Sequence, residues 1–307
     1  MRGARVDSKA RDRVRSRVER TGTYIGISGW RYPGWRGKFY PKDLPHRREL
    51  EFAASKFNSV EINGSFYSLQ LPSSYRRWYC ETPDDFVFAV KGSRFISHMK
   101  KLRDAEIPLA NFFASGLLAL GQKLGPILWQ LPPNLGWDQE RLRTFFDLLP
   151  RDTFGAAKLA RKHDARLKAP AWTKIDTCRR LRYAIEVRHP TFMTPDFFDL
   201  LRRYKVAFVI ADTAKKWPYA EDLTADFIYI RLHGDKKLYV SGYSDRALDR
   251  WAERIRKWKL GRKLRDAKLV GPAKSDQKRR DVFVYFDNDA KVHAPFDATR
   301  LSCRLQQ

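Results

Sequence analysis

Phe227-Ile228-Tyr229-Ile230-Arg231-Leu232-His233-Gly234 is the stretch that decides the fold. Its first six residues are aromatic or branched aliphatic apart from one arginine, a composition that suits an extended strand. Successive side chains of a strand point to opposite faces, so Ile230 and Leu232 share one face while Arg231 and His233 share the other. A strand with one aliphatic face that ends in polar residues fits a parallel sheet, whose loops after the strands build a site. Similar runs appear at Tyr24–Ile27, Ser59–Ile62, Phe86–Val90, Ile127–Leu131, Tyr183–Val187, Val206–Ala211 and Val282–Phe286. Helical stretches lie between most of them, among them Arg48–Lys56, Gln139–Leu149 and Pro195–Tyr204. Eight strands alternating with helices predict an α/β fold, a TIM-like (β/α)8 barrel in a single domain.

Composition agrees with one large folded unit. The 307 residues are 43% hydrophobic and 14% aromatic, enough for a sizeable core. Leu248, Trp251, Ile255 and Trp258 fall three and four apart and read as one apolar helical stripe that packs into the core. Cys80, Cys178 and Cys303 form no CxxC pair and give neither a disulfide framework nor zinc-finger spacing. The basic N-terminus lacks the apolar stretch of a signal peptide, and runs such as Phe112–Leu120 are too short to cross a bilayer. A cytoplasmic protein without membrane partners is expected.

The net charge of +26 is patchy. Residues 1–20 carry eight Lys/Arg against three acids, residues 161–182 eight against two, and residues 250–280 thirteen against three. Residues 1–22 read as a flexible basic arm preceding a barrel over 23–307, and 151–180 as a surface insert. Patches of this kind attract polyanions, nucleic acid above all, or serve as solvated faces. Segments 250–280 and, less so, 161–182 are expected beside the barrel mouth, guiding a polyanion towards it. A helix after the seventh strand would instead carry part of the charge down the outside.

The strand ends hold the chemistry. The first run leads into Ser28-Gly29-Trp30, the second contains Glu61 and Asn63, and the third ends at Lys91 with His98 in its loop. Gln130 ends the fourth, Glu186-Val187-Arg188-His189 the fifth, Asp212 the sixth and His233 the seventh, and Asp287-Asn288-Asp289 follow the eighth. The aliphatic residues must meet the helices, so this polar set is expected to point into the mouth. Charges there are costly unless paired, and Glu61, Glu186 and Asp212 nearly balance Lys91, Arg188 and Arg231. They form either a buried ion-pair lattice or a pocket for an anionic or hydroxyl-rich ligand. In the pocket reading the cations hold phosphate or carboxylate oxygens, and Glu61, Glu186 or His233 exchange protons. His98, His189 and His233 are metal-ligand types, but three nearby cations oppose a multi-metal cluster. No firm cofactor is implied, and a single weakly held divalent ion stays compatible. Dinucleotide, P-loop and GxSxG signatures are absent, and Ser28 has no identified base.

Ile25-Gly26-Ile27-Ser28-Gly29-Trp30, with Tyr32, Trp35, Gly37 and Phe39-Tyr40-Pro41, resembles the opening of YecE-like proteins. So do Val60-Glu61-Ile62-Asn63 with Phe66-Tyr67, Trp78 with Thr82-Pro83, Phe88-Ala89-Val90-Lys91 and Ile96-Ser97-His98. Gln130-Leu131-Pro132-Pro133, Glu186-Val187-Arg188-His189, Arg231-Leu232-His233-Gly234 and Tyr285-Phe286-Asp287-Asn288 complete the likeness, which runs from about 23 to 301. Ser65, Ser97 and Phe192 depart from the family's usual residues. The resemblance implies a TIM-like barrel similar to the xylose-isomerase and endonuclease-IV group, a family without a settled activity. The resulting expectation is a mouth that binds a phosphate-bearing ligand, nucleic acid foremost, with phosphodiester hydrolysis as its chemistry. The expected ligand-binding set is Ser28, Trp30, Asn63, Tyr67, Lys91, His98, Gln130, Arg188, His189, Asp212, Arg231 and Asn288. A sugar or sugar-phosphate isomerase or lyase and a non-catalytic nucleic-acid-binding module are the alternatives.

Overall fold

Each of the eight runs forms a strand, with ends within three residues of those expected: β1 Thr23–Ser28, β2 Ser59–Ile62, β3 Val87–Lys91, β4 Leu124–Gln130, β5 Tyr183–Glu186, β6 Ala207–Asp212, β7 Phe227–Leu232 and β8 Asp281–Phe286. The structure, a computed structural model, describes residues 22–271 and 278–306. The basic arm expected at 1–22 lies, up to residue 21, outside the described residues. Every strand pairs in parallel with the next, and β1 closes on β8 through Tyr24↔Phe283 and Gly26↔Tyr285. Closure leaves no sheet edge exposed. It also demands one close approach: a Cβ on Gly26 would sit 1.8 Å from the Ser59 carbonyl oxygen, so only glycine fits there.

Four of the helices have a side-chain cap on the first turn. Asp138, Asp152, Thr194 and Ser244 each accept a backbone N–H of the first turn, from Arg141, Gly155, Phe197 and Ala247. Pro195 opens the helix Pro195–Tyr204, where its missing N–H costs nothing. In Asp245–Lys259 the stripe Leu248, Trp251, Ile255 and Trp258 is buried, and the opposite face carries the charges. Within 151–180 a helix, Thr153–Ala160, buries Thr153, Ala156, Ala157 and Ala160. The rest of that stretch has little regular structure but is tied down by Trp172 N–H to the Ala114 carbonyl and by an antiparallel backbone bridge between Asp152 and Arg180.

Alternation puts Val60, Ile62, Val90, Ile185, Ile230 and Leu232 against the helices. The barrel interior is a separate cluster. Its foot is plugged by Tyr24, Phe227, Tyr229, Phe283 and Tyr285, with Tyr24 and Phe283 stacked at 4.7 Å. The Tyr285 hydroxyl reaches Ser59 Oγ at 2.7 Å. With the foot filled by rings, polar chemistry is confined to the C-terminal ends of the strands.

Candidate functional site

The inward-facing polar residues of β1, β2, β5 and β7 meet on Arg231. Its guanidinium is 0% exposed and reaches Glu186 Oε2 at 2.7 Å, Glu61 Oε1 and Ser28 Oγ each at 2.9 Å, and Asp287 Oδ2 at 3.0 Å. Glu61 also accepts from the Ser28 hydroxyl and, through Oε2 at 2.6 Å, from the Tyr229 hydroxyl. Glu186 Oε1 takes Arg188 Nε at 3.0 Å. His233 is fully buried, with Nδ1 3.0 Å from Asp287 Oδ2 and Nε2 4.0 Å from Glu186 Oε2. Burial alone would raise the Glu186 and Asp287 carboxyls. Arg231 overrides it in both, helped by Arg188 at Glu186 and by His233 at Asp287; Glu186 is held well below the usual range and Asp287 at about 2. The ion-pair lattice is therefore real, and it forms a floor. Glu61 and Glu186, expected to exchange protons with a ligand, instead spend their oxygens on arginine, serine and tyrosine beneath the cavity, and His233 is buried against Asp287, Trp217 and Tyr239. Ser28 and Arg231, expected to contact ligand, are likewise part of this layer.

Above the floor opens a cavity of about 800 Å³. Trp30, Asn63, Tyr67, Lys91, His98, Gln130 and Arg188 line it, as expected from their strand ends. Lys91 Nζ sits 4.3 Å from the centre of the Phe66 ring, and Arg188 stacks 3.6 Å from that of Trp217. Burial, then the charge of Arg231, lowers the Lys91 ammonium to about 8. Burial, then Lys91, pushes His98 down to about 4, so it is neutral at physiological pH. The Asn63 side-chain carbonyl is buried without a hydrogen-bond partner among the described residues.

Three expected residues lie elsewhere. Asp212 follows Phe208 and Ile210 to the outer face of β6 and accepts from the Tyr243 hydroxyl at 3.1 Å. Asn288 lies on the outer face of β8, where its amide ties the Ser241 carbonyl at 3.0 Å to Asp297 Oδ2 at 2.9 Å. His189, beyond the outward Ile185 and Val187, caps the turn Pro190–Phe192 and bonds Thr191 Oγ1 at 2.8 Å. The alternation already excluded all three, since each is an odd step from the inward residues of its strand. It equally selects Asp287 and Asp289, two and four residues beyond the inward Tyr285, and both line the cavity. Burial, then the Asp287 charge, raises Asp289 to about 6. Arg31, Tyr32, Gln70, Arg94 and Tyr239 also line the cavity from loops, where no periodicity marks them, and Phe66 and Trp78 from the short helices Gly64–Tyr67 and Pro72–Cys80. His98, His189 and His233 are not brought together, and no group of three His, Cys, Asp or Glu able to hold a metal occurs among the described residues.

None of the described residues of the two basic segments lines the cavity. Arg180 and Arg182 precede β5 at the foot, pairing with Asp226 and Asp281 before and at the start of β7 and β8. The helix Asp245–Lys259 carries the other segment down the outside. Arg254 bridges Glu221 at 3.2 Å and Asp266 at 2.6 Å, and Arg280 N–H meets the Lys259 carbonyl at 3.1 Å. Residues 272–277 of that segment lie outside the described residues. No helix among those described is long and apolar enough to cross a membrane.

The sequence profile of a family described as "Protein of unknown function DUF72" matches residues 24–307. The chain belongs to the DUF72 family. Among its relatives, UPF0759 protein YecE of Escherichia coli K12 is 29% identical over 170 residues, 55% of this chain and 49% of that protein. UPF0759 protein YunF of Bacillus subtilis 168 is 30% identical over 118 residues, 36% of this chain and 40% of that one. The chain thus spans about half the length of the curated relatives it matches. A DUF72 family crystal structure from Thermotoga maritima superposes with a TM-score of 0.72 at 22% identity, covering 93% of this chain and 100% of the other. A second, from Enterococcus faecalis, gives 0.65 at 16% identity, covering 93% and 96%. These structural likenesses establish the DUF72 barrel fold.

Proposed function

We propose that this DUF72 barrel binds a small phosphate-bearing ligand with a flat ring, a nucleotide or the end of a nucleic-acid strand, in the cavity over its C-terminal strand ends. One observation carries the reading. Arg31, Lys91 and Arg94 line a single cavity and none has an ion-pair partner among the described residues. Lone cations left unpaired in one concave site suit an anion, and arginine suits phosphate through paired donors. Trp30, Tyr32, Phe66, Tyr67, Trp78 and Tyr239 supply ring faces for a base or sugar. The cavity volume is that of a small-molecule site. In this reading phosphodiester hydrolysis runs through Asp289 as the group that takes a proton from water, because Glu61 and Glu186 are engaged in the floor. A sugar phosphate is the second reading, favoured because none of the described residues of the basic segments lines the cavity.

Titration calorimetry with a nucleoside monophosphate, a 5′-phosphorylated single-stranded oligonucleotide and a sugar phosphate tests it. Arg94→Ala should weaken the preferred ligand about 10-fold or more, as loss of a charge-assisted contact of about 1.5–3 kcal/mol requires. A strand should show a steep salt dependence, a sugar phosphate a shallow one. Absence of binding by all three, or affinities unmoved by Arg94→Ala, overturns the reading.

A further inference from the structure

The cavity holds a nucleophile that anion binding alone leaves unused. Lys91 ends β3, is 8% exposed, and turns its amine towards the Phe66 ring rather than to a carboxylate. The acids beneath it are already satisfied, Glu61 by Ser28, Tyr229 and Arg231, Glu186 by Arg188 and Arg231, and Asp287 by Arg231 with His233 beside it. Buried Lys123 contrasts with it, because its amine donates to the carbonyls of Tyr79 at 2.6 Å and Thr82 at 2.7 Å and is held there. Lys91 is thus a desolvated amine facing open space, and Asp289 lines the same cavity.

We propose that Lys91 forms an imine with a phosphorylated aldehyde or ketone whose phosphate is held by Arg31, Arg94 and Arg188. The proposal rests on the phosphate-binding reading of the same cavity. The neutral Nζ lone pair attacks the carbonyl carbon, the C=O π pair moves to oxygen, and one proton passes from nitrogen to that oxygen. Asp289 then donates a proton to the carbinol hydroxyl, which leaves as water while the nitrogen pair closes the C=N bond. One amine, one carbonyl and one proton give one iminium and one water, with no oxidant or reductant consumed.

Burial favours the free amine of Lys91. Burial, then Arg231, lowers its ammonium to about 8 against the raising effects of Glu61, Asp287 and Glu186. Arg188, Arg94 and the neutral His98 face the same cavity. At pH 7.5 about a quarter of Lys91 is unprotonated, against about one in a thousand for a solvated lysine.

The test is reductive trapping with sodium cyanoborohydride in the presence of dihydroxyacetone phosphate or a 5′-phosphorylated oligonucleotide containing an abasic deoxyribose. Intact mass and peptide mapping read the product, and calorimetry with the same two probes runs in parallel. One adduct per chain is expected on Lys91, rising with pH through about 8, suppressed by inorganic phosphate and reduced several-fold by Arg94→Ala. Lys91→Arg should still bind the phosphate probe but take no label, and Asp289→Asn should slow trapping about 10-fold while binding the probe at least as tightly as the parent. Labelling by the ketone alone assigns free sugar phosphates as the substrate class; labelling by the oligonucleotide alone assigns nucleic acid that has lost a base. Probes that bind without labelling Lys91, or label that spreads equally over the Lys91→Arg chain, overturn the imine and leave the phosphate reading standing. Absence of binding overturns both.

Discussion

Replacing Arg231 by Met removes the cation that three carboxylates share while nearly keeping the volume. Arg231 reaches Glu186, Glu61 and Asp287 within 3.0 Å at a site with no solvent exposure. Removing one partner of a buried pair costs about 3–5 kcal/mol, a large share of a stability of about 5–15 kcal/mol. Arg188 still faces Glu186, but Glu61 keeps only hydroxyl donors, so the upper half of the range applies. In urea, with a slope of about 3 kcal/mol per M, the unfolding midpoint should fall by about 1.3–1.7 M. The pH dependence identifies the cause. The depressed carboxyls, Asp287 at about 2 and Glu186 lower still, add stability that is complete above their unfolded values near 4 and is lost as pH falls through the folded ones. Without Arg231 those carboxyls rise, so the gap between variant and parent should narrow as pH drops from 7 to 4. If Arg231→Met does not fold, Arg231→Lys, which keeps the charge but loses the fork, should fall between the two. A midpoint within about 0.3 M of the parent, or a gap that widens on acidification, refutes the lattice as the structural floor.

Ligand affinity should fall as pH rises through about 6, because Asp289, neutral below that value, then places a negative charge beside the bound phosphate; titration at pH 5 and 7.5 measures it, and Asp289→Asn should flatten the difference. Asn288→Ala should lower stability by about 1–3 kcal/mol through the loss of its bonds to Ser241 and Asp297, and leave ligand affinity unchanged, as calorimetry will read. Gly26→Ala should lower the thermal midpoint sharply or prevent folding, because its Cβ would overlap the Ser59 carbonyl; a midpoint within a few degrees of the parent would show that β1 and β2 can part without cost.

The sequence by itself determined the eight strands and the face each side chain takes. Both follow from local causes, strand-forming residues and a pleat that alternates with period two. That same period, applied strictly to β8, separates Asp287 and Asp289 from Asn288. What it cannot give is height along the barrel axis. Height depends on the stagger between neighbouring strands, which closure of the barrel imposes. Glu61 pairs in register with Ala89, so Lys91, two residues further along β3, stands above it. One inward charge is therefore sealed into the floor and the other faces the cavity. Loop residues such as Arg31, Arg94 and Tyr239 reach that cavity through long-range packing, which leaves no periodic trace in sequence. The basic run at 250–280 was equally legible as charge, but where it lies was decided by the helix Asp245–Lys259, whose buried Leu248, Trp251, Ile255 and Trp258 hold it to the barrel wall and lead the chain to the foot.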